Sequence, residues 1–274
     1  MSEDKTNGAT TTATDEVLLE ISDYIATITI NRPEVQNTIS PTMLNALSQH
    51  LLSADKDPEV RAIVITGSGR FFCAGLDLRG SAITDGLREG ATTPTNINLR
   101  DTPPTVLHNL DTPTIAALNG SAAGYGMDLA LGCDIRLMAD GAKLAAAFTA
   151  RGILPESGGT WILPRLIGWS KAAELIFTGK TLTAQECEEM GLISRVVAAD
   201  TIQQEARDLA KAIAKNAPLA VQASKRMMRM SMNETFNDHV HHVFLQLIPL
   251  MKSEDCKEGM ASFMEKREPI FKGR

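Results

Sequence analysis

The chain has 274 residues, 43% apolar and 22% charged, with a formal net charge of −6. These are the proportions of an ordinary globular protein, long enough for one large domain or a domain with a smaller appendage. The acidic balance argues against nucleic acid as the main partner, because phosphate binding asks for a basic patch or stripe.

The first element in chain order is a tail. Residues 1–15, within MSEDKTNGATTTATDE, are polar and low in complexity, and are expected to be disordered. The stretch has no apolar run and no arginine, so it reads as neither a signal peptide nor a mitochondrial presequence. VLLEISDYIATITIN then predicts two strands around a turn at Ser22-Asp23, with Ala26, Ile28 and Ile30 on one face. SPTMLNALSQHLL predicts a helix with Ser40 as N-cap and Pro41 at its first position. Met43, Leu44, Leu47 and Leu51 line one face of it. AIVITG (62–67), TIAALNG (114–120), DIRLMAD and AKLAAAF predict further strands, each followed by a glycine-bearing turn or a short helix. Strands alternating with helices predict an α/β fold with parallel pairing. The polar, Gly- and Pro-containing stretch between about 80 and 105 is expected to be a mobile loop over a pocket or a surface excursion. From about 204 the pattern turns helical and rich in Lys and Met. The chain thus divides into a tail (1–15), an α/β core (16–203) and a helical C-terminal part (204–274).

Four scattered cysteines, Cys73, Cys133, Cys187 and Cys256, contain no CxxC pair and fit neither a disulfide framework nor a zinc site. They are read as reduced thiols of a cytoplasmic protein. No apolar run reaches the roughly 18 residues of a membrane span. His239, His241 and His242 in HVHH lie on a helical stretch without a matching ligand set, so no metal is expected.

Two glycine-rich stretches carry the chemistry. In GSGRFFCAGLDL (67–78) a strand ends in a tight turn, where Gly75 frees the Leu76 amide to face a ligand. In NGSAAGYGMDLAL (119–131) a strand ends, glycines follow, and a helix is expected to start near Met127. Helix N-termini present unpaired N–H groups, and two such amides aimed at one oxygen make an oxyanion hole. The spacing GxxxGxG is neither the GxGxxG of a dinucleotide fold nor a P-loop. A third stretch, RGILPESGGTW (151–161), sets Glu156 between apolar residues, and burial against Ile153, Leu154 and Trp161 is expected to raise its pKa. Asp128, at the head of DLALGCD, suits either catalysis or a helix cap.

NRPEVQNTIS, GRFFCAGLDL, NGSAAGYGMDLALGCDIRLM and GILPESGGTWILPRLIG resemble the consecutive signatures of the crotonase (enoyl-CoA hydratase/isomerase) superfamily. LTAQECEEMGLISRVV and ASFMEKREPIFKG match further family segments, so the resemblance runs from about residue 16 to 274. It implies a spiral of β-β-α units with a helical C-terminal trimerisation region, assembled as a trimer or a dimer of trimers. It implies that the amides of Leu76 and Tyr125 polarise the thioester carbonyl. The family turn usually has a small residue where Tyr125 stands, so its side chain must point away from the substrate or shape the pocket. Of the two glutamates of a family hydratase, one is here the shorter Asp128 and the other is Phe148. Glu156, eight residues beyond Phe148, matches the acidic position of certain family isomerases. The resemblance further implies substrate or coenzyme A contacts from Gln36, Asn37, Thr38, Ala74, Gly75, Asp77, Gly124 and Phe148. Lys266 matches a lysine that reaches the coenzyme A phosphates; a solvated surface lysine is the alternative. No separate cofactor is implied, since coenzyme A belongs to the substrate. The activity implied is hydration or double-bond isomerisation of an enoyl-CoA. Loss of the glutamate at Phe148 keeps open a non-catalytic subunit that binds acyl-CoA or serves in assembly; a thioester hydrolase or C–C bond enzyme using the same oxyanion hole is the other alternative.

Overall fold

The structure is a computed structural model that describes residues 16–77 and 102–274. The predicted tail and most of the predicted 80–105 excursion lie outside the described residues.

Strands β1 (Val17–Ser22) and β2 (Ile25–Ile30) pair antiparallel as a hairpin. The turn is Asp23-Tyr24, one residue later than the sequence suggested, and both residues have positive φ (54° and 63°). A two-residue hairpin loop requires that conformation. Ala26, Ile28 and Ile30 are fully buried as expected. Helix α1 (Pro41–Lys56) starts at the predicted cap, where the Met43 N–H donates to Ser40 Oγ at 3.3 Å. Met43, Leu47 and Leu51 face the core. Leu44 does not; it is partly buried and faces a cavity described below.

The chain then winds through β3 (Ala62–Gly67), β4 (Phe71–Cys73), α2 (Pro103–Asn109), β5 (Thr114–Leu118), β6 (Ser121–Ala123), α3 (Tyr125–Leu131), β7 (Ile135–Ala139) and β8 (Lys143–Ala145). Helices α4 (Gly159–Ile167) and α5 (Trp169–Thr178), strand β9 (Thr181–Thr183), helix α6 (Ala184–Met190) and strand β10 (Arg195–Val197) follow. One sheet has the order β1-β2-β3-β5-β7-β10 and a smaller one the order β4-β6-β8-β9. Successive strand pairs β3/β4, β5/β6 and β7/β8 therefore each place one strand in each sheet, which is the spiral of β-β-α units. Pairing is parallel from β2 to β10 and within β4-β6-β8, while β8–β9 is antiparallel like β1–β2. The entirely buried AIVITG strand explains its unbroken apolar run, since both faces of β3 are covered.

From Ile202 onward the described chain is helical: α7 (Ile202–Ala214), α8 (Pro218–Ser231), α9 (Phe236–Lys252) and α10 (Glu254–Glu265). Helix α7 packs on the large sheet through Ile202, Ala206, Ala210 and Ala214, a four-residue repeat of buried positions. Arg226 and Arg229 of α8 pair with Asp111, and Lys225 pairs with Asp134 at 2.7 Å. Of the predicted methionine cluster, Met227 is buried whereas Met228 and Met232 are exposed. Helix α9 contains no buried residue: Phe244, Leu245, Ile248 and Met251 are each between 49% and 60% exposed. No helix among the described residues is long and apolar enough to cross a membrane.

Candidate active site

The two glycine turns meet. Gly75 follows β4 with φ +109°, and a β-carbon there would sit 3.1 Å from the Ala123 carbonyl oxygen and 3.8 Å from the Tyr125 nitrogen. Only glycine permits both the backbone angle and that approach. Ile39 donates to the Gly75 carbonyl and accepts from the Asp77 N–H, each at 2.9 Å. In this parallel bridge the groups of Leu76 between them face the opposite way. Leu76 lines the cavity on that side. On the second turn, α3 begins at Tyr125, two residues earlier than expected, so the Tyr125 N–H is the first of the helix and has no partner within it. Amides on two abutting turns that open on one cavity can donate to a single oxygen.

The carboxylates divide differently from the expectation. Asp128 is fully buried, at the fourth position of α3 with Gly124 as the cap residue, so the capping alternative does not hold. Its Oδ2 accepts from the Ser157 N–H at 3.2 Å. Its Oδ1 closes no hydrogen bond with the described residues, although the Gly159 amide is turned towards the carboxylate. Gly159 has to be glycine, because a β-carbon would lie 2.3 Å from that oxygen. Burial, and then the Glu156 charge, push the Asp128 pKa up to about 7, against the pull of the Ser157 and Gly159 amides. Glu156 itself is exposed and lines the cavity. Of its expected dry wall, Ile153 and Leu154 are instead 49% and 62% exposed and only Trp161 faces the cavity. Burial thus acts on Asp128. Ser157 touches both groups, since its Oγ donates to Glu156 Oε1 at 3.5 Å.

The cavity has a volume of about 1010 Å³. Leu76, Tyr125 and Glu156 line it as three of the predicted site residues, while Leu44 and Asn45 of α1 and Thr105 and His108 of α2 were not foreseen. The His108 ring stands edge-on to Trp161 with centroids 5.3 Å apart. Burial, then Arg229 and Lys225, hold its pKa below the usual histidine value. Tyr125 lines the cavity, with its hydroxyl buried.

A sequence model of the family described as Enoyl-CoA hydratase/isomerase matches residues 20–274. The chain belongs to the enoyl-CoA hydratase/isomerase family. It is 34% identical over 262 residues to the 2,3-dehydroadipyl-CoA hydratase of Escherichia coli (strain K12), covering 94% of this chain and 99% of that one. It is 34% identical over 259 residues to the (E)-benzylidenesuccinyl-CoA hydratase of Thauera aromatica, covering 94% and 99%. The crystal structure of enoyl-CoA hydratase from Bacillus anthracis superposes with a TM-score of 0.85 at 31% identity, covering 94% of this chain and all of the other. Membership of the crotonase superfamily, the spiral fold with its helical C-terminal region and the enoyl-CoA hydratase/isomerase activity class are thereby fixed.

Several residues that the family resemblance singled out make structural contacts of their own. Asn37 is fully buried; it accepts from the Arg32 N–H at 2.8 Å and donates to the carbonyls of Ser68 and Phe71 at 2.9 and 2.7 Å. It locks the loop that carries the first glycine turn. The Gln36 carbonyl accepts from the Ala74 N–H at 3.1 Å, and Thr38 Oγ1 donates to the Val35 carbonyl at 3.1 Å. Asp77 pairs with Arg32 at 3.3 Å. Gly124 (φ 53°, ψ −123°) donates to the Ala145 carbonyl and so fixes the start of α3. Phe148 is fully buried, and its carbonyl accepts from the N–H groups of Arg151 and Ile153. Lys266 is exposed at the end of α10 with φ +54°. His239 and His242 both pair with Glu234, at 3.1 and 2.9 Å.

Proposed function

We propose that the protein hydrates a 2-enoyl-CoA thioester, with the Leu76 and Tyr125 amides holding the thioester oxygen. Glu156 moves the proton at the α-carbon and Asp128 takes the proton from the incoming water. The observation that carries this reading is the meeting of two carboxylates of unequal burial beside two abutting amide-bearing turns. Protons α to a thioester become acidic only when the enolate oxygen is stabilised, which is the work of the amides. A base with a pKa near 7 is suited to accept a proton from water at neutral pH, and burial gives Asp128 that value. Ser157 contacts both carboxylates, its backbone N–H on Asp128 and its hydroxyl on Glu156, and so fixes how they sit relative to one another. The relatives named as hydratases support addition of water.

Isomerisation is the second reading. Glu156 is exposed to the cavity while Asp128 is not, and one carboxylate suffices to take a proton from one carbon and return it to another. Glu156→Gln keeps size and hydrogen bonding but accepts no proton. It is expected to cut turnover of 2-enoyl and 3-enoyl substrates by about 10²–10⁴ with thioester binding retained. Wild-type turnover in this variant on every accepted substrate would make the carboxylate structural and end the proposal.

The exposed apolar face of α9 is proposed to pack against other copies in a trimer or dimer of trimers. Lys266 is proposed to meet coenzyme A phosphates from that helical region.

A further inference from the structure

The two glycine turns follow directly on β4 and β6, so the spacing of the Leu76 and Tyr125 amides depends on how those strands are set against each other. Gly75 comes two residues after β4, and Gly124 one residue after β6. The ladder between the strands is short and irregular. It pairs Phe71 with Ser121 and Cys73 with Ala122, so β4 spends two residues where β6 spends one. Such a bulge disrupts the ladder and bends the strand that carries it. The side chain of Asn119, half-buried and two residues ahead of β6, supplies bonds that the ladder lacks. Its Oδ1 accepts from the Gly67 N–H at 3.0 Å, and its Nδ2 donates to the carbonyls of Gly69 and Phe71 at 3.0 and 3.3 Å. Asn37 Nδ2 donates to the same Phe71 carbonyl from a third segment, at 2.7 Å. Gly120 lies flush on this loop, where a β-carbon would overlap the Arg70 carbonyl oxygen.

We propose that Asn119 is a positioning residue for the oxyanion pair: its carboxamide fixes the root of β4 against the root of β6 and so sets the Leu76 and Tyr125 amides at the spacing that lets both donate to one oxygen. This role rests on the reading of those amides as the carbonyl-polarising pair. A carboxamide suits the task because it donates and accepts at once, and here it grips one N–H and two carbonyls of a single loop. Asn119 does not line the cavity, so its side chain acts only through the backbone that it holds. An oxyanion hole works by donors fixed in advance, and a displacement of about 1 Å can cost on the order of 10²-fold in rate. Hydration and exchange of the α-proton both pass through the enolate, so a displaced amide slows both alike.

Asn119→Ala removes this clamp and leaves Asn37 on the Phe71 carbonyl. A saturated acyl-CoA, isotope-labelled at its thioester carbonyl, reports polarisation through the C=O stretch in infrared difference spectra. In the parent the stretch is expected to move to lower frequency on binding, and in Asn119→Ala to return towards the free value. Turnover of a 2-enoyl-CoA should fall about tenfold in kcat, and α-proton exchange of the saturated acyl-CoA in D2O by the same factor, with the Kd of that ligand changed by less than about twofold. A parental stretch or a parental kcat in the folded variant overturns the proposal, because a side chain that only stabilises the fold lowers Tm without altering the bound carbonyl. Should Asn119→Ala not fold, Asn119→Ser is measured in the same way; failure of both to fold makes the residue structural and overturns the proposal as well. If the parent itself shows no shift on binding, the oxyanion reading is wrong and the proposal goes with it; if the parent shifts and Asn119→Ala matches it, only the proposal fails.

Discussion

The glycine-turn region and the C-terminal helices are unfinished in opposite ways. Around Gly75 and Tyr125 the unpartnered groups are polar: two amides, gathered where chain segments meet. On α9 they are apolar: Phe244, Leu245, Ile248 and Met251 face outward from a helix that buries nothing. Buried polar groups without partners call for a ligand that bonds them. A broad exposed apolar face calls for another protein surface. What each region lacks thus indicates what it binds.

A large effect is expected at Leu76. Proline there removes the N–H, and turnover should fall by about 10²–10³ if the amide polarises the carbonyl. Circular dichroism run alongside the kinetics confirms that the fold is kept, and near-normal turnover in a folded variant would remove this amide from the mechanism. Next comes Asp128→Asn. The folded pKa of about 7 lies above the ordinary 3.8, so burying the charged form costs stability once the pH rises beyond the unfolded value. That cost grows from about pH 4 and is complete above about pH 7. The asparagine variant should therefore gain on the order of 2 kcal/mol over the parent at pH 8 and little at pH 4, read from urea unfolding. A gain of the same size at both values would mean that the charge is not responsible. For the parent, hydration should decline as the pH drops below about 7, where the Asp128 base is protonated; a flat profile from 5 to 8 would contradict that role.

On the helical side, sedimentation should give three or six times the 29.5 kDa chain mass, and a stable monomer at micromolar concentration would defeat the assignment of α9 as an interface. Ile248→Ser should weaken assembly by about tenfold, the smallest of these effects.

Much of the architecture was legible because it is local. The alternation of Ala26, Ile28 and Ile30 marks a strand with one core face, and Ser40-Pro41 marks a helix start. The assignment of β8 to the small sheet was not legible, because AKLAAAF carries no trace of which strands lie beside it. Leu44 shares the helical spacing of Met43 and Leu47 but turns into the cavity, since only the neighbours of α1 decide which part of its apolar stripe is covered. The site shows the same limit. Leu76, Tyr125, Asp128 and Glu156 were legible as family positions, but their burial was not. Proline and glycine around Glu156 signalled a turn, and the packing of that turn on α3 buries Asp128 while leaving Glu156 open. His108 and Thr105 reach the site from a helix far along the chain, with no local signal.

One matched pair of variants tests the division of labour between the two carboxylates. Glu156→Gln and Asp128→Asn are assayed on a 2-enoyl-CoA for hydration and on a 3-enoyl-CoA of the same chain length for isomerisation. Glu156→Gln is predicted to lose both activities by about 10²–10⁴, whereas Asp128→Asn loses hydration to a similar extent and keeps most of any isomerisation. If Asp128→Asn loses both equally, or Glu156→Gln keeps isomerisation while Asp128→Asn abolishes it, the buried carboxylate moves the carbon-bound proton and the assignment is contradicted.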